Sequence, residues 1–172
     1  MILEGSVGSL EGLKVVELAS EQAALAGKML GDLGADVIVV EPPGGHASRG
    51  YGPFADDVED PERSLWWWNY NTSKRGVVLD LTTDAGAAQF RRLLADTDIV
   101  LEGETPGALA ALGLDHPELR ARDERLIWVS VTAFGREGTR ANEPATDLTL
   151  LAGGGPASVS YTHLTLPTIL RV

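Results

Sequence analysis

The stretch "LKVVELASEQAALAGKMLGDLGADVIVVE", residues 13–41, constrains the fold more than any other. It opens on a short apolar run with two valines and closes on a β-branched run at residues 36–41. Between them, Ala23, Ala26, Leu30 and Leu33 recur at helical spacing. Ser20 is placed to cap that helix, with Gln22 and Ala23 in its first turn, and Gly34 is placed to stop it. A strand, a helix and a strand in about thirty residues make a βαβ unit, and that unit demands a parallel sheet.

The rest of the chain repeats the alternation. "PPGGHASRGYGP" is a loop by composition, and "DDVEDPE" is an acidic connector. "WWWNYN" fits a short helix or an extended segment. Residues 75–81 read as a third strand. The next helix is capped by Thr83 or Asp84 and buries Ala87, Phe90, Leu93 and Leu94. "DIVLEG" is a fourth strand, and a short helix follows with Pro106 in its first turn. "HPELRARDERL" is a further helix, residues 127–134 are a fifth strand, and "LTLLAGGG" starts a last helix. The expected fold is therefore α/β, with a doubly wound, mostly parallel sheet. Residues 1–9 are Gly/Ser-rich and expected to be loose. Residues 10–157 carry the pattern. Residues 158–172, "VSYTHLTLPTILRV" with its preceding serine, hold no charge before Arg171 and break it. They read as a tail foreign to the fold, the alternative being a native edge strand.

Charge narrows the partners. With 14 Lys+Arg against 25 Asp+Glu, the net charge is −11 over 172 residues. Nucleic acid and anionic membrane both attract basic surfaces, so neither is an expected partner. No apolar run approaches the ~20 residues of a membrane-spanning helix. The N-terminus lacks the basic and apolar regions of a secretory signal. There are no cysteines, which excludes disulfides, thiolate catalysis and Cys-ligated metals, and a cytoplasmic location fits. His46, His116 and His163 lie far apart in sequence, and no metal site is expected.

Several residues could meet a ligand. In an open α/β sheet, ligands sit beyond the carboxyl ends of the strands. The first βα turn would offer Ser20 and the amides of Gln22 and Ala23 to an anion or a polar ring edge. Taken alone, it is an ordinary helix cap. Arg49 stands in a Gly-flanked loop beside Gly44 and Gly45; taken alone, it is a solvated side chain. Lys74 and Arg75 are adjacent cations in an acidic chain, next to Asn71 and the run Trp66–Trp68. Lysine meets phosphate as a point charge and arginine as a planar fork. Asp147 opens the last helix, where capping is its simplest role. There is no G-x-G-x-x-G and no G-x-S-x-G, so neither a dinucleotide fingerprint nor a serine hydrolase elbow is present.

Taken in order, the segments "LGADVIVVEPPGG", "NYNTSKRGVVLDL", "ADTDIVLEGETPGALAALGL" and "SVTAFGREG" resemble the class III CoA-transferases (the CaiB/BaiF family) from about residue 10 to residue 155. The resemblance implies a Rossmann-like large domain, here incomplete, in a two-domain enzyme whose chains interlock as a homodimer. It implies acyl-CoA and a carboxylic acid as substrates, with no permanently bound cofactor. CoA would move between acids through an aspartyl covalent intermediate in a longer parent chain. Ser20, Gln22, Ala23, Arg49, Asn71, Lys74 and Arg75 match positions that border the CoA site, the basic pair facing its phosphates. Three departures stand out. Gly103 and Glu104 replace an Asn-Phe or Asn-x pair. Thr146 stands where racemases carry histidine. No Asp or Glu follows Asp147, so the nucleophile is missing and this chain alone is expected to be inactive. Alternatives are an α-methylacyl-CoA racemase or lyase of the same family, a non-catalytic CoA- or nucleotide-binding module, and an unrelated α/β nucleotide-binding domain.

Overall fold

Short valine-rich runs form the sheet, because β-branched side chains pack well on a pleated, buried surface. A computed structural model describes residues 8–115, 117, 119 and 124–155. These fall into two compact units divided after Thr132. In the first unit, β1 (Lys14–Leu18), β2 (Asp36–Glu41), β3 (Lys74–Val78), β4 (Ile99–Glu102) and β5 (Ile127–Ser130) pair in parallel in the order β3-β2-β1-β4-β5. Val15 lies opposite Val37 on one side and Ile99 on the other. The chain winds outward from β1 to β3, then returns to add β4 and β5 on the other side. The strand order thus reverses between β1 and β4.

Helices cover both faces, as the alternation predicts. α1 (Glu21–Asp32) joins β1 to β2, and α3 (Asp84–Leu94) joins β3 to β4; α2 (Leu65–Asn71) and α4 (Ala108–Ala111) are shorter. Side chains alternate across the pleat. Val15, Val37 and Leu101 therefore pack with Ala23 of α1. Val16, Leu18, Val40 and Val100 pack with Ala87, Phe90 and Leu94 of α3 on the other face. Phe90 is fully buried, and truncating such a residue to alanine typically costs about 3–5 kcal/mol.

Helix ends follow the local signals. Ser20 Oγ accepts from the Ala23 amide, and Gly34, at φ 104°, takes the left-handed position that ends the turn after α1. Of the two candidate caps for α3, Thr83 is the one used: its Oγ1 accepts from the Gly86 amide at 3.1 Å. The Trp-rich segment is helical, with Ser64 Oγ accepting from the Trp67 amide. Strand ends follow the partner instead. β3 stops at Val78 rather than residue 81, because Val78 pairs with Glu41, the last residue of β2. β5 stops at Ser130 because Ser130 pairs with Glu102, the end of β4.

The second unit holds α5 (Asp147–Gly153). Thr146, not Asp147, is its cap: Thr146 and Thr149 exchange side-chain and backbone hydrogen bonds as a capping box. Asp147 is the first helical residue and is exposed. Arg140 lies 4.0 Å over the ring of Phe134. Most of the helix expected from "HPELRARDERL", His116, His163 and the tail 158–172 lie outside the described residues. No described helix is long and apolar enough to cross a membrane.

Candidate functional site

The loops after β1, β2, β3 and β4 meet at the carboxyl rim of the sheet, and the reversal between β1 and β4 is the place where sheets of this order form their ligand crevice. Two of these loops touch directly. A Cβ built on Gly103, just past β4, would fall 2.6 Å from Ser20 Oγ and 3.1 Å from Gln22 Oε1. Only glycine lets the β4 loop approach the first βα turn this closely. The structure thus brings Ser20, Gln22 and Gly103 together. The amide of Ala23 is already held by Ser20 Oγ and Ala23 is fully buried. It is not offered to a ligand as the sequence suggested.

Beside the crevice is a cavity of about 270 Å³ lined by all four loops, among them Ala19, His46, Leu81 and Glu104. Its walls are mostly apolar, from Leu18, Val40, Leu79, Leu109 and neighbouring residues. Such a concave, apolar pocket with a few polar groups is the usual form of a small-molecule site.

Three glutamates at or next to strand ends organise the rim, and all three are buried: Glu17, Glu41 and Glu102. Glu41 takes a two-pronged ion pair from Arg49, with Nε to Oε2 at 2.6 Å and Nη2 to Oε1 at 2.8 Å. Burial pushes the Glu41 carboxyl up. Hydrogen bonds from Arg49 and the His46 amide, with the Arg49 charge, outweigh that and hold it below the ordinary range. Arg49 also donates to Glu62 at 2.9 Å and lies 4.2 Å over the ring of Trp67. It is therefore not the loose loop cation that composition suggests. It is clamped, and it fixes the loop carrying Gly44 and Gly45. Glu102 accepts from the Glu104 amide at 2.7 Å and from Trp128 Nε1 at 3.3 Å.

Glu17 holds Lys74. The Lys74 side chain is fully buried, with Nζ 2.8 Å from Glu17 Oε2. Nζ also donates to the Ala24 carbonyl at 2.9 Å and to Asn71 Oδ1 at 3.1 Å. Asn71 in turn donates to the Trp67 carbonyl. Burial pushes Glu17 up to about 7 against the opposing pull of Lys74, and pushes Lys74 down. Gly27 of α1 makes room for the pair, since a Cβ there would fall 1.7 Å from Glu17 Oε2. Lys74 thus points into the fold and not at a phosphate. The register with β2 places it opposite Val37, on the α1 face. Arg75 points to the other face, at the amino rim, where it forks onto Asp36 at 2.6 and 2.7 Å. The adjacent cations therefore do not form one site.

Sequence reasoning missed Glu17, Glu41 and Glu102. A signal existed: "VVEL", "VVE" and "VLE" each put glutamate after a β-branched or aliphatic run. Among the described residues, no cluster of three His, Asp or Glu could hold a metal ion.

The comparisons with known proteins match the sequence and the fold. The family model described as CoA-transferase family III matches residues 10–172. The chain is 41% identical over 142 residues to succinyl-CoA:(R)-benzylsuccinate CoA-transferase subunit BbsE of Thauera aromatica, covering 83% of this chain and 35% of that one. It is 39% identical over 155 residues to a succinate–glutarate CoA-transferase of Agrobacterium fabrum, covering 88% of this chain and 39% of the relative. A crystal structure of a CaiB/BaiF family protein from Brucella suis superposes with a TM-score of 0.79 at 37% identity, over 87% of this chain and 40% of that one. The chain spans well under half the length of these relatives. On the family match and these relatives, this chain belongs to CoA-transferase family III.

Proposed function

We propose that this chain supplies the CoA-binding part of an acyl-CoA:carboxylate CoA-transferase. The observation that carries the reading is the crevice at the strand-order reversal, where Ser20, Gln22 and Gly103 meet beside an apolar cavity. Named CoA-transferases among the relatives support the reaction class. In this reading Ser20 and Gln22 contact the ligand. Arg49 shapes the loop around it, and Asn71 and Lys74 hold the sheet and α1 beneath it.

The chemistry is carboxylate exchange. An enzyme aspartate attacks the thioester carbonyl of acyl-CoA; the C–S bond breaks and the thiolate leaves with its electron pair. The thiolate then attacks the enzyme's carbonyl in the resulting anhydride, releasing the donor acid as carboxylate. The acceptor acid takes CoA by the same two steps in reverse. Covalent catalysis of this kind splits one difficult exchange into easier ones. No Asp or Glu follows Asp147 here, and Asp147 is exposed in the second unit. We assign the nucleophile to a longer chain of which these residues are the N-terminal part, in which two copies form a dimer.

Titration calorimetry with CoA tests the binding half. Saturable binding weakened by Gln22→Ala is expected. No binding at millimolar CoA overturns the reading. A labelled-succinate exchange assay tests the covalent half: the 172-residue chain is expected to show no exchange. Exchange that disappears in Asp147→Asn would make Asp147 the nucleophile instead.

A further inference from the structure

The cavity beside the crevice contains a carboxyl group that nothing in the fold uses. Glu104 lines it, is partly buried, and its side chain makes no hydrogen bond or ion pair among the described residues. Its backbone amide is tied to Glu102 at 2.7 Å, which fixes where the side chain starts. Burial, then the nearby charge of Glu102, pushes the Glu104 carboxyl up, with His46 opposing. A partly desolvated carboxyl without a partner is costly to keep, and a ligand donor would relieve that cost.

His46 lines the same cavity and supplies the complementary group. Its Nδ1 accepts from the Ser48 amide at 3.3 Å and lies 2.7 Å from Ser48 Oγ. Ser48 is fully buried, so this arrangement is fixed. With Nδ1 an acceptor, the neutral ring carries its proton on Nε2, leaving that N–H as the donor. Of the cavity's other polar side chains, Glu41 is held by Arg49 and Asp80 accepts from the Thr82 amide; Glu104 and His46 offer an acceptor and a donor beside the apolar walls.

We propose that Glu104 and His46 read a paired N–H and acceptor edge on the ligand, with Glu104 taking the N–H, and that Glu104 sets ligand specificity in this chain. The inference rests on the CoA reading above. CoA carries that edge in two places, the amino-substituted edge of adenine and the amides of its pantetheine arm. A fragment experiment separates them. Calorimetry is run on the chain with CoA, with adenosine 3′,5′-bisphosphate, which has no pantetheine, and with pantetheine, which has no adenine. Glu104→Leu removes the acceptor at similar size, and Glu104→Gln keeps one. A thermal melt of each variant checks that it folds.

A hydrogen bond to a charged or strongly polar group predicts about a tenfold or greater loss of affinity for one fragment and for CoA in Glu104→Leu. The other fragment is unchanged, and Glu104→Gln loses less. Which fragment responds identifies the edge. If wild type binds CoA and Glu104→Leu binds CoA and both fragments as well as wild type, the inference fails while the CoA reading stands. Equal losses for both fragments also overturn it, because a general distortion and not edge recognition would then be at work. If wild type binds none of the three, the CoA reading falls and this inference with it.

Discussion

The two rims of the sheet both carry charged residues but use them differently. At the carboxyl rim, Glu17, Glu41 and Glu102 are buried, and each is held by a defined donor: Lys74, Arg49, or the Glu104 amide with Trp128. At the amino rim, Lys14 pairs with Asp96 and Arg75 with Asp36, and all four side chains are well exposed. Exposed pairs are screened and contribute about 0–1 kcal/mol. Buried ones are costly to desolvate, so they persist only where geometry satisfies them. The rim that bears this cost is also the rim with the crevice, the close Gly103 approach and the apolar cavity. Buried charge therefore locates the site better than the sign of the charge does. By charge alone, Lys74 and Arg75 look equivalent; by burial Lys74 is held inside the fold and Arg75 is exposed, on opposite faces of β3.

Lys74→Met gives the largest effect and tests the comparison most severely. It leaves Glu17 charged or forced to protonate inside the fold, and breaking one side of a buried pair typically costs about 3–5 kcal/mol. Replacing both partners, Glu17→Leu with Lys74→Met, removes the stranded charge and is expected to restore most of that loss. Urea denaturation of the two variants and wild type is the check. If the single variant loses less than about 1 kcal/mol, the pair is no more important than an exposed one and the contrast between rims collapses.

The pH dependence of stability sharpens the same contrast. Glu17 holds its proton up to about pH 7 in the fold, against an ordinary value of 4.5. Between those values the folded state carries a proton that the unfolded chain has lost. The contribution is therefore fully present below pH 4.5 and is lost as pH rises through about 7. Glu17→Gln is expected to remove that decline. Denaturation midpoints for wild type and variant between pH 4.5 and 8 should converge or diverge with pH. Parallel curves would mean that Glu17 titrates like a surface carboxylate.

Local signals made the scaffold legible. Ser20, Thr83 and Gly34 marked helix ends because capping depends on residues within a turn of one another. The valine runs marked strands for a similar reason. Strand ends were less legible: β3 stops where β2 stops, and that is a property of pairing. The site was least legible. Lys74 and Glu17 are 57 positions apart, and Arg49 finds Glu41 only because the loop after β2 folds back onto its own strand. Adjacent residues on a strand point to opposite faces, so the pair Lys74–Arg75 could not be one site once it proved to lie within β3. The position before a strand and the first position in it differ by a single residue in the sequence and by a whole face in the fold.

Arg75→Ala carries the smallest expected effect and is the cleanest test of the division between rims. Arg75 is 65% exposed and Asp36 46% exposed, so their fork is worth less than about 1 kcal/mol. Arg75 also lies at the start of β3, whereas the proposed ligand groups Ser20 and Gln22 follow the end of β1. The variant is expected to melt within a few degrees of wild type and to bind CoA with an affinity changed by less than about twofold, since no shared partner couples the two places. A tenfold loss of CoA affinity with the fold intact would show that the ligand reaches the amino rim. Arg75 would then be a phosphate contact, as adjacency to Lys74 first suggested, and burial would no longer separate a binding charge from a structural one.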